Sequence, residues 1–194
     1  MFSIKDLGYE PDDLMVKVSE LMVATADESD SGIEKSVPEV LRLLRDKMHM
    51  DVVFVSEFLD GERVFRHVDS EPENAIIAAG DSNPLEESWC QRVVDGRLPP
   101  YIADASREPA SAALEKALPF RIGTHISTPI VLQDGKVYGT LCCFSFSPAA
   151  NPDPKDLRRL QYTAQLTAGK IDKSRAELKK RESPPPDAWG LAPL

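Results

Sequence analysis

The sequence is poor in the residues on which nucleic-acid binders, disulfide scaffolds and many enzymes depend. Lys and Arg number 23 against 32 Asp and Glu, for a net charge of −9. Nucleic acid is held by clustered cations that displace counterions from phosphates, so this balance excludes it as a partner. An anionic membrane surface is excluded for the same reason. The cysteines number only three, too few and too odd for a disulfide framework. Cys142 and Cys143 stand side by side in a strand-like run, where neighbouring side chains point to opposite faces and do not bridge. The 10 glycines are spread singly, which leaves no phosphate-cradling loop. No serine occupies a strand-to-helix elbow, so nucleophilic hydrolysis has no candidate. His49, His67 and His125 are scattered, and no His or Cys pair has the spacing of a zinc site, so no metal ligand is expected. No apolar run approaches a membrane span, and Met1–Asp6 lacks the charged-then-apolar pattern of a signal peptide. The cytoplasm is the expected compartment.

What the chain does have is enough apolar sequence, 42% of 194 residues, for one well-buried core. A first helix is expected from about Pro11 to Ala26, with Leu14, Val18, Leu21 and Met22 on one stripe. Asp27–Gly32 reads as a loop. Ser36-Val37-Pro38-Glu39 has capping-box spacing and opens a second helix carrying Val40, Leu41, Leu44 and Met48. Val52–Phe58 is β-branched and aromatic, Asp60-Gly61 is a hairpin turn, and Arg63–Val68 alternates as the return strand. A third strand is expected at Ala75–Ala79. Asn83-Pro84 opens a short helix that runs through Trp89 and Cys90 and stops at Asp95-Gly96. Pro99–Asp104 is extended, and Ala110–Leu118 forms a small helix. A second hairpin follows: Thr124–Leu132, a turn at Asp134-Gly135, and Lys136–Phe146. The last helix runs from about Asp153 to Arg181. Its Leu157, Leu160, Ala164, Thr167, Ile171, Ser174 and Leu178 make a heptad-like seam that suits pairing with a second copy. The Pro-rich segment 183–194 is expected to be disordered. Strands grouped in hairpins, with helices before and after, imply an antiparallel α+β domain spanning 11–181.

That order, together with four strings, resembles the GAF domain. The strings are Glu87–Gly96, Tyr101–Ala105, Ile122–Pro129 and Asp134–Cys143, the last with Gly139 just before the apolar strand. The resemblance implies a GAF/PAS-like central antiparallel sheet with the terminal helices, 11–26 and 153–181, on one face. Small helices and loops on the other face would enclose a pocket. It further implies a signalling role: binding of a small molecule, homodimerisation through the last helix, and regulation of a partner. With no output domain after the last helix, that partner is expected to act in trans. The alternative is a protein-interaction module whose pocket is filled by its own side chains.

Several residues match pocket positions of such domains. Phe54 and Ser56 on the first strand, Thr128 on the partner strand, and Cys142 and Phe144 on the last strand are the candidates. Cys90 joins them, because bilin-binding relatives carry the chromophore on a cysteine of this middle region. Here Gln91 follows it, and no Arg or His partners for propionates are evident nearby, which argues against bilin and haem. The cyclic-nucleotide signature Asn-Lys-Phe-Asp-Glu is also missing. Free methionine-R-sulfoxide reductases share the fold, and their turnover needs an attacking and a resolving thiol. Their loop cysteine has no counterpart in Ala110–Phe120. No catalytic residue is therefore expected, and this reductase activity is the enzymatic alternative. His125 is expected to be an ordinary hydrogen-bonded histidine and Asp104 a turn cap.

Overall fold

A computed structural model of the chain describes residues 12–24, 31–116 and 118–182. Pro11, the expected end of the first helix at 25–26, most of the loop after it and the 183–194 tail lie outside the described residues.

The helix α1 (Asp13–Ala24) starts where Asp12 Oδ1 accepts the Leu14 N–H at 3.0 Å. It is followed by α2 (Ser31–Met48), then the hairpin β1 (Val52–Leu59) and β2 (Glu62–Ser70). The middle segment contributes β3 (Ser82–Pro84), α3 (Trp89–Val94), β4 (Tyr101–Ile102) and α4 (Ala112–Glu115), with one 3-10 turn between β3 and α3 and two between β4 and α4. The second hairpin, β5 (Thr124–Val131) and β6 (Val137–Ser145), leads into α5 (Asp156–Glu182). All six strands pair antiparallel in the order β3-β2-β1-β6-β5-β4.

Both hairpins turn where Asp-Gly predicts. Gly61 and Gly135 sit at φ 81° and 80°, the left-handed region that a side chain disfavours. The central strands β1 and β6 are covered on both faces, so their side chains alternate between two cores rather than between core and water. One core lies under α1, α2 and α5 and takes Val53, Val55, Ile126, Ile130, Leu141 and Cys143. The other lies under the middle segment and takes Val52, Phe54, Phe65, Cys142 and Phe144. The terminal helices thus share one face and the small elements cover the other, as expected from the sequence.

Four details differ from the sequence reading. The third strand is Ser82–Pro84, not Ala75–Ala79. Within Ala75–Ala79 only Ile77 packs against the core, and the chain turns at Gly80 (φ 96°), whose N–H donates to Phe65 O. The second helix starts at Ser31, so Pro38 lies inside it instead of in its first turn. Ser36 is correspondingly no cap: its buried Oγ accepts a hydrogen bond from Lys170 Nζ at 3.0 Å, tying α2 to α5. The expected small helix at Ala110–Leu118 is helical only over Ala112–Glu115, after a 3-10 turn at Pro109–Ser111. Finally, the α5 seam is covered by the chain itself from Leu157 to Ile171, while Leu178 is exposed. Leu160 and Ala164 are buried in the helix-side core, and Leu157 and Ile171 pack against its edge. Their spacing reflects a sheet beneath the helix; a heptad pattern alone cannot tell a sheet from a second helix.

No helix among the described residues is long and apolar enough to cross a membrane.

Candidate functional site

On the middle-segment face, four elements converge. Ser88 Oγ accepts the Gln91 N–H at 3.1 Å and starts α3, which carries Trp89 and Cys90 inward. From the sheet, β2 supplies Arg63 and Phe65, β5 supplies His125, and β6 supplies Cys142 and Phe144. They surround a cavity of only about 30 Å³, completed by Phe54, Ile77, Leu118, Phe120 and Ile122. Aromatic rings do most of the filling. Phe54 meets Phe65 edge-on at 4.9 Å, Phe120 stacks on Phe144 at 5.7 Å, and Phe144 and Phe146 are T-shaped at 5.8 Å.

At one end of this apolar layer sits a polar knot. Cys142 Sγ lies 3.2 Å from His125 Nε2, and Arg63 Nη1 donates to Cys90 Sγ at 3.3 Å. The donor atoms of Cys90, His125 and Cys142 lie within 4.8 Å of one another, and all three residues are buried. Trp89 covers the His125 ring with centroids 5.1 Å apart. Arg63 is held in place: its Nε donates to Asn83 Oδ1 at 2.9 Å, and its guanidinium rests 4.6 Å from the Phe65 ring centroid. Among the described residues it has no carboxylate partner. His125 Nδ1 and Trp89 Nε1 are buried with no hydrogen-bond partner there.

The two thiols of this knot diverge in acidity. Burial pushes the Cys90 thiol up, but the hydrogen bond with Cys142, the Arg63 charge and His125 together outweigh it and lower the pKa well below the usual thiol value. Cys142 is raised well above it, by burial first and then by its hydrogen bond with Cys90 and the Cys90 charge. Of the two, Cys142 therefore holds its proton more tightly than Cys90.

Of the sequence candidates, Phe54, Cys142 and Phe144 line the cavity, and Cys90 stands in the polar knot beside it. Ser56 does not line it: its Oγ is 2.9 Å from Thr140 Oγ1 in a buried cross-strand pair. Thr128 does not line it either. It pairs with Leu141, whose side chain belongs to the helix-side core, so strand alternation turns Thr128 toward the helices. His125 and Ser127 hold the alternate positions on that strand. Arg63 and His125 are the residues that sequence reasoning did not place in the site. Asp104 does cap the turn after it, accepting the Ser106 N–H at 3.0 Å.

A larger, open groove of about 620 Å³ lies outside this site. It runs along Met48–Asp51, the Ser147–Asp153 loop and Arg159. Arg159 bridges Asp12, Asp153 and Asp156 there, so its charge is already matched by its own chain.

A family model described as a GAF domain matches residues 31–172. No curated protein matches the sequence. Among solved structures, the GAF domain from an Acinetobacter phosphoenolpyruvate-protein phosphotransferase is similar at a TM-score of 0.65 and 16% identity. That match covers 85% of this chain and 96% of the other. A free methionine-R-sulfoxide reductase from Neisseria meningitidis, solved with its substrate, matches at 0.63 and 16%, covering 87% and 96%. The phycocyanobilin-bound GAF domain from a cyanobacterial phytochrome matches at 0.65 and 15%, covering 84% and 94%. At these identities the likeness is one of fold.

Proposed function

The chain belongs to the GAF domain family, and from that premise we propose that it is a non-enzymatic regulatory domain of the cytoplasm that signals by protein contact through its terminal helices. The observation that supports this reading is the interior of the middle-segment face. About 30 Å³ is room for a water molecule or an ion, whereas metabolite sites run to roughly 300 Å³ and more. Phe54, Phe65, Phe120 and Phe144 occupy the space that a ligand would take. Catalysis finds little support in thiols that are all free and buried, since reactive cysteines need access. A homodimer through α5 would use its outward face of Arg158, Gln161, Gln165 and Lys173, because the Leu160 face is committed to the sheet.

A second reading, a sensor of a small anionic molecule, is favoured by Arg63. Its guanidinium lines the cavity and has no carboxylate partner among the described residues. Native mass spectrometry of protein purified from cells, with a thermal-shift screen of carboxylates and phosphates, separates the two readings. The docking reading expects no retained metabolite and no stabilisation. A metabolite that raises Tm in wild type but not in Arg63→Gln would establish the sensor instead.

A further inference from the structure

We propose that Cys90, His125 and Cys142 form a buried site for one thiophilic monovalent metal ion, Cu(I), with the Arg63 guanidinium as its counter-charge. The three donors come from α3, β5 and β6, which are far apart in sequence and brought together by the fold. Their ligand atoms lie within 4.8 Å of one another. Donors that share one three-coordinate ion at bond lengths of roughly 2.0–2.3 Å stand about 4 Å apart. Small side-chain adjustments around Cys90 therefore suffice, while His125 already presents Nε2 to Cys142 Sγ at 3.2 Å.

The donor set selects the class of ion. Two sulfurs and an imidazole are soft ligands that suit Cu(I) or Zn(II) and reject Mg(II) and Ca(II), which want oxygen. Zinc takes four ligands in a structural site, or three and a water in a catalytic one. Here no fourth His, Cys, Asp or Glu joins the group among the described residues. The neighbouring cavity of about 30 Å³ is walled by Phe54, Phe65 and Phe144. That surrounding suits a low-coordinate ion without a hydration shell.

Charge then separates the two ions. Metal ligation requires both cysteines as thiolates, and with the Arg63 cation beside Cys90 that donor set carries one net negative charge. Cu(I) bound by the two thiolates, with Arg63 alongside, brings that sum to zero. Zn(II) on the same donors leaves an unbalanced positive charge in an apolar interior, which disfavours it. Arg63 Nη1, 3.3 Å from Cys90 Sγ, thus opposes a divalent ion and matches a monovalent one. No electron is transferred in this step, and the thiol protons displaced by the metal go to solvent. Binding would fasten α3 to β5 and β6, giving the middle segment a metal-dependent hold on the sheet. The site is independent of the docking reading: either can fail without the other.

The test uses the full chain, reduced and kept anaerobic, titrated with Cu(I) delivered in a chromophoric chelate. One equivalent should leave the chelate. Cys90→Ser and Cys142→Ser should each weaken uptake by roughly tenfold or more, and Cys143→Ser, on the opposite face, should not. Arg63→Gln should weaken Cu(I) and leave Zn(II) unchanged or tighter. Cu K-edge absorption of the loaded wild type should show sulfur and nitrogen scatterers at low coordination, a readout that needs no variant to fold. Failure of the wild type to withdraw Cu(I) overturns the proposal. So does tighter retention of Zn(II) than Cu(I), or a Cys90–Cys142 disulfide formed under mild hydroperoxide without any metal uptake, which would mark the pair as a redox couple.

Discussion

Cys142 and Cys143 are neighbours in β6 whose side chains enter different cores. Cys142 Sγ lies 3.2 Å from His125 Nε2 under the middle segment, whereas Cys143 packs with Val53, Ile126 and Leu160 under the helices. Burial raises the pKa of the Cys143 thiol far above its ordinary value, and it raises that of Cys142 too. Both conditions oppose thiolate chemistry in the native state. With iodoacetamide at neutral pH, Cys142 and Cys143 should label only as fast as the protein unfolds, and fully in denaturant. Peptide mass spectrometry reads the sites; rapid native labelling of both would show that β6 is not an interior strand.

Gly139 lies where β1 leaves no room for a side chain on β6. A Cβ there would collide with Ser56 O, a carbonyl held in the sheet. Gly139→Ala should therefore destabilise by about 3 kcal/mol, the upper range of overpacking effects. Gly169, on the exposed side of α5, meets nothing within 4 Å. Gly169→Ala should stabilise by roughly 0.5–1 kcal/mol, because glycine is the costlier residue in a helix interior. Urea unfolding of both variants checks the opposite signs.

These contrasts also show what the sequence could reveal. The hairpins were legible because Asp60-Gly61 and Asp134-Gly135 supply the turn chemistry and the flanking runs are strand-like. The two-sided burial of β6 was legible in Leu141-Cys142-Cys143-Phe144, apolar at every position. Thr128 matches a pocket position of GAF domains, yet beside Leu141 it faces the helices, because each step along a strand inverts the side chain. The polar knot was not legible. Arg63, Cys90, His125 and Cys142 are separated by tens of residues, and only the pairing of β5 with β6 and the seating of α3 bring them together. No local spacing encodes that meeting.

The seam on α5 can be tested where it was first read. Leu160 is 0% exposed and lies in the helix-side core; Leu178, on the same heptad series, is 50% exposed. Leu160→Ala should cost about 3 kcal/mol by cavity formation, and Leu178→Ala no more than roughly 0.5 kcal/mol. If Leu160→Ala instead keeps its stability and loses only self-association in sedimentation, the seam faces a second copy.

Tyr138 predicts the alkaline limb of stability. Burial, with the Glu57 carboxylate adding to it, raises its phenol from 10.0 to about 12, against the opposing charges of Arg66 and Arg175. A folded pKa above the unfolded one favours the native state at low pH. The contribution, on the order of 2 kcal/mol, is fully present below pH 10 and is lost as pH rises toward 12. Tyr138→Phe should flatten the fall in Tm over that window. An unchanged profile would mean that the phenol ionises as freely in the native state as in the unfolded chain.

Phe144 tests whether the cavity is closed by the protein's own rings. Its side chain is buried, stacks on Phe120 and meets Phe54 edge-on at 6.4 Å, so it bridges both walls of the space. Phe144→Ala removes that bridge and adds its volume to the existing cavity of about 30 Å³. The loss should be about 4 kcal/mol, the usual range for a buried phenylalanine truncated to alanine. An apolar cavity of this kind stays dry and accepts small aromatic molecules. Benzene or indole should therefore raise the Tm of Phe144→Ala in a concentration-dependent way and leave wild type unmoved. If wild type is stabilised equally, the pocket opens without the mutation, and the sensor reading gains over the docking one. If neither responds and the variant loses well under 1 kcal/mol, the aromatic layer has collapsed into the gap, and Phe144 does not hold the pocket shut.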